Sequence, residues 1–129
     1  MSLTGKNILA IDDTDSIRTF LRIFLQAHGA NFHEAATAEA GVKLCTKVAP
    51  DLVVLDLGLP DKDGLDILPE LKEKQKNSKV IILSVRKEQR TKDKALSLGA
   101  DAYVTKPFLM EDLLEVIEQN IANNSAHPS

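Results

Sequence analysis

LVVLDLGLPDKDG, from Leu52 to Gly64, runs from four consecutive apolar residues into a loop of glycine, proline and aspartate, and one carboxylate, Asp56, stands at the junction. Three other short runs follow the same plan. NILAI (7–11) ends on Asp12 and Asp13, VIIL (80–83) ends on Ser84, and DAYVT (101–105) ends on Lys106. Apolar, β-branched-rich segments with little alternation suit strands of a parallel sheet covered on both faces. In open α/β sheets of that kind, ligands bind outside the carboxyl ends of the strands. The four junctions therefore meet at one site. Three carboxylates, a hydroxyl and an ammonium converging there make a pocket for a divalent cation and a phosphoryl group.

Between these runs the periodicity changes to three and four. Thr14 or Asp15 caps a helix through His28, with Ile17, Phe20, Leu21, Phe24 and Leu25 on one face, and Gly29 stops it. Phe32 to Ala36 is a short second strand, and Thr37 caps a helix carrying Ala40, Leu44 and Val48 before Pro50 ends it. The third strand is Leu52 to Asp56, followed by a loop through Gly64 and a helix around Leu65 to Lys74. Pro69 falls inside that helix, close enough to its start to be tolerated more easily than at mid-helix. Val80 to Ser84, Glu88 to Leu98, Ala102 to Thr105 and Glu111 to Ile121 complete five β/α units, a (βα)5 α/β chain with right-handed crossovers.

The 129 residues fit one domain, expected over 1–123 with 124–129 as a polar tail, and a domain of this size buries roughly two thirds of the surface its unfolded chain exposes. Met1-Ser2-Leu3 has the look of a vector-derived opening. Cys45 is the single cysteine and sits in an apolar helical pattern, so it reads as a small core residue. Neither a signal peptide nor a membrane span is visible, which makes the cytoplasm the default location. Net charge is −3 with both signs mixed, so no basic stripe points to direct nucleic-acid binding. There is no GxGxxG or P-loop, and His28, His33 and His127 lack metal-ligand spacing. The lysines from Lys72 to Lys79 read as a solvated face.

Taken singly, each residue has a plainer reading. Asp12 or Asp13 alone caps the first helix, Asp56 with Gly58, Pro60 and Gly64 is a turn, Lys106 is a solvated lysine, and Ser84 is equally weak by itself. Together they have defined chemical roles. A carboxylate such as Asp56 attacks phosphorus to form an acyl phosphate, which stores a signal. The cluster of Asp12, Asp13 and Asp56 repels itself, and a hard cation with near-octahedral oxygen coordination relieves this. Lys106 offers compact positive charge to phosphoryl oxygens and Ser84 a hydrogen bond.

The motifs ILAIDD, VVLDLGLPDKDG, IILS and GADAYVTKPF, at this spacing, resemble the receiver domain of two-component response regulators over nearly the whole chain. The resemblance implies a doubly wound, flavodoxin-like three-layer sandwich with strand order 2-1-3-4-5. It also implies phosphoryl transfer to Asp56 from a histidine kinase or phosphotransfer protein, with Mg2+ held by Asp12, Asp13, Asp56 and the Gly58 carbonyl. Pro107 is expected to follow a cis peptide bond. Ser84 and Tyr103 form the expected switch: the hydroxyl is drawn inward and Tyr103 enters from the surface, altering the face of the fourth helix, fifth strand and fifth helix toward an output domain or protein. Tyr103 by itself reads as a half-buried aromatic. LDLGLPD and LSVR are most similar to the branch with winged-helix transcription factors, in which phosphorylation brings two copies together. Ala102 and Val116 stand where an Asp and an Arg would pair in that dimer, so part of its electrostatic specification is lost. Val85 replaces a small residue beside Ser84 and crowds access to the phosphoryl group.

Two other classes compete. Asp13-Thr14-Asp15 has the D-x-D spacing of haloacid-dehalogenase-type aspartyl-phosphate hydrolases, although Ile17 stands where a hydroxyl is wanted. A receiver-shaped scaffold that works without phosphorylation would usually have lost an acidic, Asp or Lys position, and none is lost here.

Overall fold

The computed structural model describes residues 2–126, with side chains described to residue 122. Over these residues strands and helices alternate as β1 (Asn7–Ile11), α1 (Asp15–Ala27), β2 (Asn31–Ala35), α2 (Ala38–Val48), β3 (Leu52–Leu55), α3 (Gly64–Lys74), β4 (Lys79–Ser84), α4 (Gln89–Ser97), β5 (Ala102–Thr105) and α5 (Met110–Ala126). The strands form one parallel sheet in the order β2-β1-β3-β4-β5.

The apolar runs are apolar throughout because the sheet is covered twice. Ile8, Ala10, Leu52, Val54, Ile81 and Leu83 pack toward Leu21 and Leu25 of α1 and Leu113 and Ile117 of α5. Their neighbours Leu9, Ile11, Val53, Leu55, Val80 and Ile82 pack toward Cys45 of α2, Ile67, Leu68 and Leu71 of α3, and Ala95 of α4. A three-layer sandwich results. Each fully buried Leu or Ile contributes about 1.5–3 kcal/mol relative to exposure, and successive side chains alternate between the two layers.

Most element ends fall within a residue or two of the sequence reading, and four local features differ. Pro69 is the sixth residue of α3, past the first turn, so α3 forgoes the bond to the Leu65 carbonyl and is held by its buried Ile67, Leu68 and Leu71. Leu3, in the segment read as vector-derived, is fully buried in the core beside α5. Lys72 and Lys79 are not simply a solvated face, because both reach Asp101, at 3.0 Å and 4.0 Å. Helix α5 continues to Ala126, through the first residues of the expected polar tail, whose remaining positions 127–129 lie outside the described residues.

Candidate functional site

The strand ladder extends one bond past each strand tip and fixes the residues that follow. Asp12 N–H donates to the Ala35 carbonyl (3.0 Å), Asp56 N–H to the Ile11 carbonyl (2.9 Å), and Lys106 N–H to the Ser84 carbonyl (2.8 Å). Gly64 lets α3 start against this edge: a Cβ there would lie 2.5 Å from the Asp56 carbonyl oxygen and 2.7 Å from Leu57 Cα. The expected residues do converge.

Asp12, Asp13 and Asp56 each offer an oxygen within 4.8 Å of the others. Asp12 and Asp56 are buried, whereas Asp13 faces solvent and leaves the cluster open on one side. Lys106 Nζ lies 2.9 Å from Asp12 Oδ2 and 3.7 Å from Asp56 Oδ2. One ammonium thus pairs with two of the three carboxylates. Burial, with the Asp12 charge adding to it, pushes the Asp56 carboxyl above the ordinary Asp range, and the hydrogen bond from Gly58 N–H to Asp56 Oδ1 (3.2 Å) and the Lys106 charge only partly oppose this. Asp12 Oδ1 also accepts from Thr14 N–H (2.9 Å), just before α1, whose N-cap residue is Thr14 with no side-chain capping bond, so the aspartates do not cap this helix and the site reading stands without that role. All-oxygen donors with excess negative charge fit Mg2+ or Ca2+, not a thiophilic metal.

Ser84, nearly fully buried, accepts from Arg86 N–H at 3.1 Å. Tyr103 is half-buried, as its plain reading has it; its hydroxyl donates to the Arg86 carbonyl (2.7 Å), and Lys92 Nζ lies 5.9 Å from its ring centre. Burial pushes its phenol up, with the Ser84 hydroxyl acting in the opposite direction. The Lys106–Pro107 peptide is cis. Val85 is 68% exposed and lines an apolar depression together with Lys106 and Pro107. Asp15, the second carboxylate of the D-x-D alternative, lies on α1 paired with Arg18 and away from the cluster, which removes the sequence basis for a dehalogenase-type hydrolase.

Two carboxylates of the β3–α3 loop were not singled out by sequence. Asp63 caps α3 through Leu65 N–H (2.9 Å), bridges to Gly58, and accepts both 3.1 Å and 2.9 Å bonds from Arg86. Asp61 accepts from Ala38 and Glu39 N–H at the start of α2, and those two bonds hold its carboxyl below the ordinary range. An Asp directly before the Gly that opens a helix is a legible cap signal; the reach of Asp61 to another helix is not.

The profile of the response regulator receiver domain matches residues 8–118. The chain belongs to the response regulator receiver domain family. It is 38% identical over 120 residues to the KDP operon transcriptional regulatory protein KdpE of Escherichia coli K12, covering 93% of this chain and 53% of that protein. It thus spans about half the length of the curated relatives it matches. Among solved structures, a response regulator receiver domain protein from Methanospirillum hungatei superposes with a TM-score of 0.91 at 29% identity, covering 94% of this chain and 97% of that one. A response regulator from Burkholderia pseudomallei, whose structure contains a phosphorylated aspartic acid, a calcium ion and citrate, superposes with a TM-score of 0.84 at 26% identity over 95% of this chain and 72% of that one. Phosphorylation on aspartate is typical of receiver domains, and the matched relatives are transcriptional regulators, a signalling role. Among the described residues, no helix is long and apolar enough to cross a membrane.

Proposed function

We propose that Asp56 is the phosphoacceptor of this receiver, taking a phosphoryl group from a phosphohistidine on a histidine kinase or phosphotransfer protein. The observation that carries the reading is the convergence of Asp12, Asp13 and Asp56 within 4.8 Å beside Lys106. Asp56 Oδ1 is held by Gly58 N–H, which leaves Oδ2, facing Lys106, as the attacking oxygen. A P–O bond forms to Asp56, the P–N bond of the donor breaks, and the histidine nitrogen keeps the electron pair. Lys106 turns from the carboxylates to the phosphoryl oxygens, and Ser84 donates a hydrogen bond to one of them. Mg2+, bound by Asp13, Asp56 and the Gly58 carbonyl with Asp12 beside it, would neutralise the carboxylates and the transferring phosphoryl oxygens.

The rim next to Lys106 is apolar, lined by Ile17, Phe20, Val85, Pro107 and Phe108, and supports docking of a helical phosphodonor there. Output runs through the face of α4, β5 and α5 to an attached domain or separate protein, by similarity to transcriptional regulators. Homodimerisation on phosphorylation through that face is weakened by Ala102 and Val116, which lack the paired charges. The test is incubation with a small phosphodonor and Mg2+, read by intact mass. The parent gains one acid-stable, base-labile phosphoryl group, and Asp56→Asn gains none. Undiminished labelling of Asp56→Asn overturns the assignment, whereas an unlabelled parent favours the phosphorylation-independent scaffold.

A further inference from the structure

Arg86, in the β4–α4 connection, bonds to both halves of the site. Its N–H donates to Ser84 Oγ (3.1 Å) and its carbonyl accepts from the Tyr103 hydroxyl (2.7 Å). Its guanidinium donates to both Asp63 carboxylate oxygens (3.1 and 2.9 Å) and reaches the Leu57 carbonyl, next to Asp56, at 3.5 Å. We propose that Arg86 is a positioning residue that holds Ser84 away from the phosphoryl group, and that its ion pair with Asp63 is the tether setting how readily Ser84 is released. The inference rests on Asp56 being the phosphoacceptor and on Ser84 turning to its phosphoryl group.

The tether follows from what is fixed and what must move. Ser84 is buried, so when its hydroxyl swings to a phosphoryl oxygen the Arg86 N–H loses its acceptor unless the segment after Ser84 follows. Following draws the Arg86 side chain along. Asp63 cannot follow, because it caps α3 at Leu65 N–H and is bridged to Gly58. The guanidinium–carboxylate pair therefore ties a movable loop to a fixed helix end and favours the arrangement in which Ser84 is turned from Asp56. A ligand selects between two such arrangements by its differential affinity, so loosening the tether makes a phosphoryl group bind more tightly. The two side chains are 32% and 38% exposed, and partly exposed pairs of this kind shift an equilibrium by roughly 1.5- to fivefold.

Asp63→Asn is the informative variant, because Asn caps a helix as well as Asp while the charge and one of the two acceptors for Arg86 are removed. Arg86→Ala removes the guanidinium and keeps the main-chain bonds to Ser84 and Tyr103. Beryllofluoride, standing in for the phosphoryl group on Asp56, is titrated at saturating Mg2+ into the parent, both single variants and the double variant, and followed by amide NMR shifts over residues 84–105. Each single variant is expected to bind it roughly 1.5- to fivefold more tightly, and the double variant no more tightly than the better single one, since both remove the same pair. A pair that merely stabilises the fold lowers Tm and leaves this affinity unchanged. Unchanged or weaker binding in Asp63→Asn and Arg86→Ala, with a responsive parent, overturns the tether and leaves the Asp56 assignment standing. A parent that binds no beryllofluoride overturns both.

Discussion

The two ends of the sheet hold aspartates under opposite conditions. At the amino end, Asp51 and Asn7 exchange two 2.8 Å bonds, N–H to carbonyl and N–H to carboxylate, and Asp101 and Val80 do the same at 2.8 Å each. Asp101 also receives Lys72 at 3.0 Å and Lys79 at 4.0 Å. At the carboxyl end, Asp12, Asp13 and Asp56 cluster, Lys106 pairs with Asp12 and Asp56, and burial with mutual repulsion raises the Asp56 carboxyl. Charge at one end closes the ladder; at the other it is left short of partners. The same residue type thus stabilises the fold where each oxygen meets a donor and stores repulsion for an incoming ligand where it does not.

The sharpest way to break the comparison is to remove a satisfied aspartate. Asp101→Ala leaves the buried Val80 N–H without its acceptor and deprives Lys72 of its counter-charge, so unfolding stability should fall by about 2–3 kcal/mol. For a chain of this length that is roughly 10 °C in Tm, read by thermal or urea unfolding. The folded fraction should still accept phosphoryl groups, because Asp101 lies at the far end of the sheet. A loss under 0.5 kcal/mol, the scale of an ordinary surface substitution, would show that the amino-end network is not a major support.

A substitution that crosses from one concern to the other is expected to come next. In Gly64→Ala the new Cβ meets main-chain atoms of Asp56 and Leu57, which cannot move aside as a flexible side chain would. Overpacking of this kind costs roughly 1–3 kcal/mol. Because the displaced atoms belong to the phosphoacceptor loop, phosphorylation by a small donor should slow as well. Slowed labelling with unchanged stability, or the reverse, would separate the two effects that the geometry couples.

Sequence alone exposes the unsatisfied end better than the satisfied one. Asp12, Asp56, Ser84 and Lys106 are legible because each interrupts an apolar run, and a buried parallel sheet carries those interruptions to one edge. Lys72 gives no such signal: its partner Asp101 is 29 residues away and the two meet only through the crossover of α3, β4 and α4. The pairing of Arg86 with Asp63, 23 residues apart, is hidden for the same reason. Periodicity reports which face of an element is covered, and it carries no information on which charge on another element will face it. Leu3 reads as part of a vector-derived opening because a short segment has no period to read, yet it is fully buried in the core cluster that includes Leu113 and Ile117 of α5. A half-buried Tyr103 on the fifth strand is legible, whereas the bond of its hydroxyl to the Arg86 carbonyl, a main-chain group, has no sequence signature.

The smallest expected effect tests the sign of the comparison directly. The raised Asp56 carboxyl means that its contribution to stability is fully present while the group is protonated, below the ordinary Asp range, and is lost as pH rises through its higher value in the folded protein. Asp56→Asn removes that ionisation at nearly constant volume. Without divalent cations the variant should match the parent in acid and exceed it by about 1 kcal/mol at neutral pH, the usual gain when a strained functional group is neutralised. The isosteric change at the other end, Asp101→Asn, should lower stability at neutral pH, because Lys72 and Lys79 lose their counter-charge. Mg2+ should narrow the Asp56→Asn advantage, since a cation that binds the folded parent more tightly stabilises it by mass action. Urea unfolding of both variants across pH 4 to 8, with and without Mg2+, reads all three effects. If Asp56→Asn is less stable than the parent at neutral pH without metal, the carboxyl end is not under net repulsion, and the contrast between the two ends fails at its central point.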